Sequence, residues 1–163
     1  IMVVGMYPGS FDPITFGHID IAARASQLFD KIYIAVVYTK PSKSFWFSTE
    51  QRVQLCKDAL AHLPNVEVIS YTGLSVETAK QLDAKAMIRG LRMGSDFEYE
   101  FELDLNNQKL APDVDTIYLI SKLEHIYIKS SLLREIVESN GRIDHIVPAN
   151  VAAALQERTN SIV

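Results

Sequence analysis

The chain has 163 residues, of which 48% are hydrophobic and 22% charged, the composition of an ordinary globular domain. Its net charge of −4 argues against a general nucleic-acid binder, which presents a basic face, and no apolar run approaches the roughly 18 residues of a membrane span. A single cysteine excludes an internal disulfide, and no secretory signal pattern is present, so we expect one domain, residues 1–163, in a reducing, cytoplasmic compartment.

Short apolar runs alternate with helical patterns along the whole chain. In chain order the sequence predicts a strand at 3–7, a helix at 17–29, a strand at 32–38, a helix from 48 to about 62, a strand at 66–70, a helix at 75–82, a strand at 84–88, a helix at 95–110, a strand at 116–120, and helices at 130–140 and 148–158. Ser48 and Gln51 form a capping box at the second helix start, and Asn140-Gly141 supplies a helix stop. This order is typical of an α/β fold, a doubly wound, Rossmann-like domain with a five-stranded parallel sheet.

Ligands of such sheets bind at the carboxyl ends of the strands, near a topological switch point. The segments that follow the predicted strands are therefore the places to search for chemistry. They are residues 8–18, 38–43, 74–75, 89–92 and 121–131. These segments contain several cationic and hydroxyl side chains but no Ser-His-Asp or Cys-His set, and the histidines show no metal-ligand spacing, so we expect no protein metal site.

The first of these segments contains Gly9-Ser10-Phe11-Asp12-Pro13 and, four residues later, Gly17-His18. Gly9 lets the backbone approach a ligand, and Gly17-His18 falls at a helix start, where free N–H groups favour an anion. The segment lacks the Gly-Lys-Ser/Thr of a Walker loop and the Gly-x-Gly-x-x-Gly of a dinucleotide site. Taken alone, it fits either a phosphate site or a turn with a histidine at the helix start.

This motif resembles the T/HxGH signature of the nucleotidyltransferase superfamily. Four later segments resemble the phosphopantetheine adenylyltransferases within it. They are Pro41-Ser42-Lys43 with the 47–52 region, residues 88–100, residues 128–135 and residues 148–151. The resemblance extends from about residue 3 to residue 155 in the same order and spacing.

The resemblance implies an enzyme that transfers the adenylyl group of ATP to 4′-phosphopantetheine, giving dephospho-coenzyme A and pyrophosphate. This is the penultimate step of coenzyme A synthesis. Mg²⁺ would accompany ATP, and the family is usually a homohexamer built as a dimer of trimers.

The resemblance also implies a set of site residues. The catalytic set is His18, Ser10, Lys43 and Arg92, with His18 donating to the α-phosphate. The expected acceptor-binding residues are Ser10, Lys43, Ser75 and Arg89. The expected ATP-binding residues are Ser10, Phe11, His18, Gly90, Leu91, Arg92, Glu100, His125, Ile126, Tyr127, Ile128, Lys129, Ser130 and Ser131.

Three positions depart from the family pattern. Lys129 replaces the usual first serine of its motif, and is expected either to contact phosphate or to point outward. Asn106-Asn107 replaces a more usual Met-Asn pair in the acceptor region. The loop that follows the second strand is one residue longer than in many relatives, so Lys43 rather than Lys40 is expected to bind the acceptor.

Other interpretations of the residues remain open. Arg89 and Arg92 could be surface arginines paired with Asp96 or Glu100. The helical stripe of Phe97, Phe101 and Leu105 fits either core or a subunit interface. The whole chain could instead be a sister nucleotidyltransferase with another phosphorylated acceptor, or a non-catalytic nucleotide-binding regulator.

Overall fold

The computed structural model describes residues 1–38 and 44–160, except for the side chain of Ser95. The described strands form one parallel five-stranded sheet in the order β3-β2-β1-β4-β5. They are β1 (Val4–Gly9), β2 (Lys31–Val37), β3 (Val66–Tyr71), β4 (Ala86–Leu91) and β5 (Asp115–Ile120). The predicted doubly wound α/β fold with five parallel strands is therefore confirmed.

Two strands extend further than the sequence predicts. β1 continues through Pro8 and Gly9, which pair with Ala35 and Val36 of β2, although Pro8-Gly9 reads as a strand break. β4 ends at Leu91 rather than before Arg89, because its pairing with β5 continues to the end of both strands. Arg89 consequently projects from a strand end, not from a loop.

The helices agree with the predicted ones within a few residues. They are α1 (Phe16–Leu28), α2 (Thr49–Ala59), α3 (Ser75–Gln81), α4 (Gly94–Leu110), α5 (Ser130–Glu138) and α6 (Ala149–Asn160). The predicted capping box of α2 is present, with Ser48 and Gln51 bonded reciprocally. A short 3₁₀ turn, Leu123–His125, was not predicted and lies between β5 and α5. No helix of the described ranges is long and apolar enough to span a membrane.

The sheet is buried on both faces, as a parallel sheet requires. Alternate residues of β2 contribute to the two sides, with Ile32 and Ile34 in one cluster and Ala35 in the other. The first cluster is covered by α1, α2, α5 and α6, and the second by α3 together with the segment around Ala111. Gly5 lies on β1, the central strand of the sheet, where a Cβ would come within 2.7 Å of the Ile88 side chain.

Helix α4 is mostly exposed, although it is the longest element. Phe97, Phe101 and Leu105 are 57%, 54% and 48% exposed, and the two phenylalanine rings stack with centres 6.0 Å apart. The interpretation of this stripe as core is therefore wrong for the chain as described, because no other element covers it. The interface interpretation remains.

The topology places the carboxyl ends of β1 and β4 side by side at the centre of the sheet. From β1 the chain passes to β2 on one side, whereas β4 lies on the other side. This is the switch point at which doubly wound sheets open a crevice.

Candidate active site

A cavity of about 590 Å³ opens at this switch point. Its volume is within the range of small-molecule sites. It is lined by the ends of β1 and β4, the first turn of α1, one side of α4, and the segment from β5 to α5. The lining residues are Tyr7, Pro8, Gly9, Phe11, Thr15, Gly17, His18, Ile21, Arg89, Gly90, Arg92, Asp96, Tyr99, Glu100, Ser121, His125, Ile128, Lys129, Ser130 and Ser131.

His18 is held at the start of α1 by a reciprocal cap. Thr15 is the N-cap residue, and its hydroxyl accepts a bond from the backbone N–H of His18. In return, His18 Nδ1 accepts from the backbone N–H of Thr15 at 3.0 Å. An N–H donor at this distance requires an unprotonated Nδ1, so the neutral ring carries its proton on Nε2.

The histidine ring is also kept neutral. Burial, together with the smaller effect of the positive charge of Arg92, lowers the pKa of His18 to about 4. The ring packs edge-on against Phe11, with centres 4.9 Å apart. Near pH 7, His18 therefore offers the cavity a fixed Nε2–H donor, the form suited to an anionic ligand.

Arg89 forms a two-point ion pair with Glu100. Its Nε lies 3.0 Å from one carboxylate oxygen and its Nη2 lies 2.6 Å from the other. Glu100 is buried, and Tyr118 donates to its backbone carbonyl at 3.1 Å. Both pairing partners line the cavity, so the pairing suggested by the sequence is present, but as part of the cavity wall.

Arg92 connects β4 to the segment before α5. Its Nη1 donates to the carbonyl of Ile128 at 2.7 Å, and its Nε lies 3.4 Å from Asp96. Asp96 also accepts from the backbone N–H groups of Arg92 and Met93 at 3.3 Å. Arg92 thus lies between two parts of the cavity wall and is less than half exposed.

The N-terminus of α5 forms another part of the wall. Lys129 is its N-cap residue and makes no side-chain cap bond, and Ser130 and Ser131 are its first two residues. All three line the cavity, so Lys129 belongs to the wall instead of lying apart from it. The free N–H groups of a helix start favour an anion at this position.

Ser75 lies in an adjoining, smaller space of about 10 Å³ that shares Pro8, Arg89 and Glu100 with the main cavity. Asn107 lines this space too, whereas Asn106 bonds to the carbonyl of Glu102 on α4. Of the Asn106-Asn107 pair, Asn107 is therefore the residue near the cavity.

Several predicted site residues are not among the described residues that line the main cavity. They are Ser10, Leu91, Ile126 and Tyr127. The carbonyl of Ser10 accepts from Arg52 at 2.8 Å, and Tyr127 is 71% exposed. Lys43 lies outside the described residues, as does Lys40.

Three residues important to the geometry were missed from the sequence. Thr15 fixes His18, and its signal was the Thr-x-x-His spacing at the helix start. Arg52 is fully buried and bonds to the carbonyls of Ser10, Val37 and Phe47. Asp12 is also buried and bonds across the fold. Nothing in the sequence marks Arg52 as different from a surface arginine of a helix.

The two carboxylates that line this cavity, Asp96 and Glu100, are both paired with arginines. In the described part of the chain, no three His, Cys, Asp or Glu side chains are grouped as a metal site requires. Burial raises the pKa of the Tyr7 hydroxyl far above neutrality, so it stays protonated. The cavity therefore combines fixed hydrogen-bond donors with paired cations, an arrangement suited to holding phosphate groups in place.

The fold and the cavity together define a nucleotidyltransferase. The chain matches the cytidylyltransferase-like family over residues 6–136. In shape it is similar to a crystal structure from Vibrio parahaemolyticus provisionally described as a nicotinate-nucleotide adenylyltransferase, with a TM-score of 0.73 over 96% of this chain and 93% of that one. At 14% identity this likeness shows the fold alone.

Curated relatives define the family more narrowly. The chain is 48% identical to the phosphopantetheine adenylyltransferase of Caldanaerobacter subterraneus subsp. tengcongensis, over 96% of this chain and 98% of the relative. It is 45% identical to that of Synechococcus elongatus, over 97% of this chain and 95% of the relative. The chain belongs to the phosphopantetheine adenylyltransferase family.

Proposed function

We propose that the protein transfers the adenylyl group of MgATP to 4′-phosphopantetheine, releasing pyrophosphate and forming dephospho-coenzyme A. The similarity over nearly the whole chain supports this reaction. The structural observation that carries the proposal is the convergence of the His18 Nε2–H, Arg92 and the starts of α1 and α5 on one cavity. Mg²⁺ enters as part of the substrate, bound to the phosphates, as is usual for this ion.

The reaction needs hydrogen-bond donors and cations but no general base from the cavity. The acceptor phosphate is already an anion, so its oxygen attacks the α-phosphorus without losing a proton to the protein. The bond from the α-phosphorus to the bridging oxygen then breaks in line, and pyrophosphate leaves. The protein has to align two polyanions and stabilise the charge that develops between them.

The two substrates are assigned to different walls of the cavity. ATP phosphates lie between the starts of α1 and α5, near His18, Arg92, Ser130 and Ser131. The acceptor phosphate lies near Arg89, whose Nε and Nη2 are held by Glu100, and its pantetheine arm extends towards Ser75. Ser10 and Lys43 keep their expected roles as contacts of the two reacting phosphates.

We also propose a cytoplasmic homohexamer. The proposal rests on the family resemblance and on the exposed aromatic stripe of α4, since monomers rarely leave so large an apolar stripe uncovered.

The decisive assay combines the purified protein with ATP, Mg²⁺ and 4′-phosphopantetheine and measures pyrophosphate release. We expect sustained release that depends on both substrates. Nicotinate mononucleotide, in a parallel reaction, is expected to give only background. Turnover with that acceptor and none with 4′-phosphopantetheine would identify a sister enzyme, and binding of ATP without turnover on any acceptor would identify a non-catalytic binder.

The acceptor lysine is tested by two alanine variants. Lys43→Ala is expected to raise the KM for 4′-phosphopantetheine at least about tenfold, because a charge-assisted contact to phosphate is lost. Lys40→Ala serves as the matched control and is expected to behave like the wild type. If only Lys40→Ala is impaired, the assignment of the two lysines is reversed.

A further inference from the structure

The buried Asp12 carboxylate joins three parts of the fold. Its Oδ2 accepts from the backbone N–H of Trp46 and from Arg134 Nη2, both at 2.7 Å. Its Oδ1 accepts from the backbone N–H of Phe47 at 3.0 Å. The carboxylate is 4% exposed, so these donors replace water around its charge and fix its orientation.

Arg134 brings α5 into this arrangement. It is in the second turn of α5, three residues after Ser131, and its guanidinium carbon lies 5.3 Å from the centre of the Trp46 ring. The neighbouring Leu133 is buried in the core, which sets the rotation of the helix. The ion pair with Asp12 sets the lateral position of its N-terminal end.

Asp12 and Arg134 do not line the cavity formed by the described residues. Asp12 instead lies just before Thr15, the cap that fixes His18. A single ion pair thus links the loop that starts α1 to the first turns of α5. Both of the helix starts that it links line the cavity.

We propose that Asp12 and Arg134 form a positioning pair that sets the separation of the two helix starts and thereby the binding of the polyphosphate between them. The identification of that anion as the triphosphate of ATP rests on the proposed function. Positioning by a buried pair has a large effect, because a displacement of about 1 Å in such a site can cost about 100-fold in rate.

The test is a double-variant cycle of Asp12→Asn and Arg134→Gln, with Arg134→Lys as the conservative variant. Two quantities are measured in each protein: the Kd of inorganic pyrophosphate by calorimetry, and the kcat and KM for ATP in the transfer assay. Arg142→Gln is the matched control, because Arg142 forms an exposed ion pair with Asp144.

We expect Arg134→Gln to raise the Kd of pyrophosphate about tenfold and to lower kcat by about 10- to 100-fold, since the donors lose their alignment. In the Asp12→Asn background the same substitution should change either quantity less than about twofold, because the pair is already broken. Arg134→Lys should restore both to within about threefold of the wild type, since one donor reaches Asp12. Arg142→Gln should leave both unchanged.

Losses that multiply in the double variant would overturn the proposal and indicate that Arg134 contacts the anion directly. A lowered urea midpoint with unchanged Kd and kcat would overturn it in favour of a purely structural pair. If Asp12→Asn does not fold, the comparison of Arg134→Gln with Arg134→Lys decides alone, and equal defects in the two would contradict positioning. Pyrophosphate binding needs no acceptor, so it is measured independently of the transfer reaction. If the two substitutions have coupled effects on the Kd of pyrophosphate but the protein shows no adenylyl transfer, the proposed function is refuted and the positioning pair is supported.

Discussion

The role of His18 follows from the hydrogen bonding of its two ring nitrogens. Nδ1 is occupied by the backbone N–H of Thr15, and only Nε2 is left for a ligand. The ring is thereby fixed as a neutral donor, which differs from the histidine of an acid-base catalyst, whose pKa lies near the operating pH. A fixed donor costs no reorganisation when charge develops in the transition state.

Removal of this donor gives the first prediction. His18→Ala is expected to lower kcat by at least about 100-fold, the usual effect of losing one donor to a developing charge, while the fold stays intact. Pyrophosphate release measures kcat, and circular dichroism shows whether the fold is intact. Turnover close to that of the wild type would remove His18 from the mechanism.

The protonation state of His18 gives the second prediction. Its pKa in the folded protein is about 4, below its ordinary 6.5, because burial and Arg92 disfavour the charged ring. Between these two pH values the unfolded chain binds a proton that the folded chain does not. The contribution of His18 to stability is therefore complete above pH 6.5 and declines as the pH falls towards 4.

Nitrogen-15 NMR of histidine-labelled protein measures this directly. We expect the His18 signals to show the Nε2–H tautomer from pH 8 to about 5 and to titrate only near pH 4. His18→Gln identifies the resonance by its disappearance. A titration midpoint near pH 6.5 would show that the His18 ring is partly charged at pH values just below neutrality. The donor would then be an imidazolium at those pH values.

At the scale of the elements, the ion pair of Arg89 and Glu100 joins β4 to α4. Both carboxylate oxygens are used, so the guanidinium is held in one plane with its Nη1 edge turned away from the pair. In the proposed assignment of Arg89 to the acceptor, Glu100 would orient the guanidinium that binds the acceptor phosphate.

Glu100→Gln tests this link. The amide keeps the size of the side chain but loses the charge, so Arg89 is less firmly oriented, and we expect the KM for 4′-phosphopantetheine to rise about tenfold. Glu67→Gln is a suitable control, because Glu67 pairs with Lys31 between β2 and β3 at an exposed site. An unchanged acceptor KM with a raised ATP KM would instead assign Glu100 to the nucleotide.

The elements themselves could be predicted from the sequence because hydrophobic periodicity and caps are local. Ser48 and Gln51, for example, specify the start of α2 without reference to the rest of the chain. The pairings of Asp12 with Arg134 and of Arg52 with Ser10 could not be predicted in this way. They join residues more than 40 positions apart, and only the tertiary fold brings such residues together.

For the molecule as a whole, one group of exposed apolar side chains lies on α4 and β5, which are consecutive elements of the chain. Phe97, Phe101 and Leu105 lie along α4, and Ile117 and Ile120 lie on β5, which is an edge of the sheet. Scattered apolar residues on a surface are normal, whereas a stacked aromatic pair beside an open strand edge is typical of an interface.

The last prediction concerns assembly. We expect the wild-type protein to have a mass in solution of about six times the 18.3 kDa of one chain. A Phe97→Ser/Phe101→Ser double variant should give a smaller assembly, because both rings are already exposed in the single chain and their loss weakens contacts between chains more than the fold. Leu28→Ser, an exposed apolar change on α1, is the control and should keep the wild-type mass. Light scattering after size exclusion measures the mass, and a double variant that retains the full assembly would place the interface elsewhere.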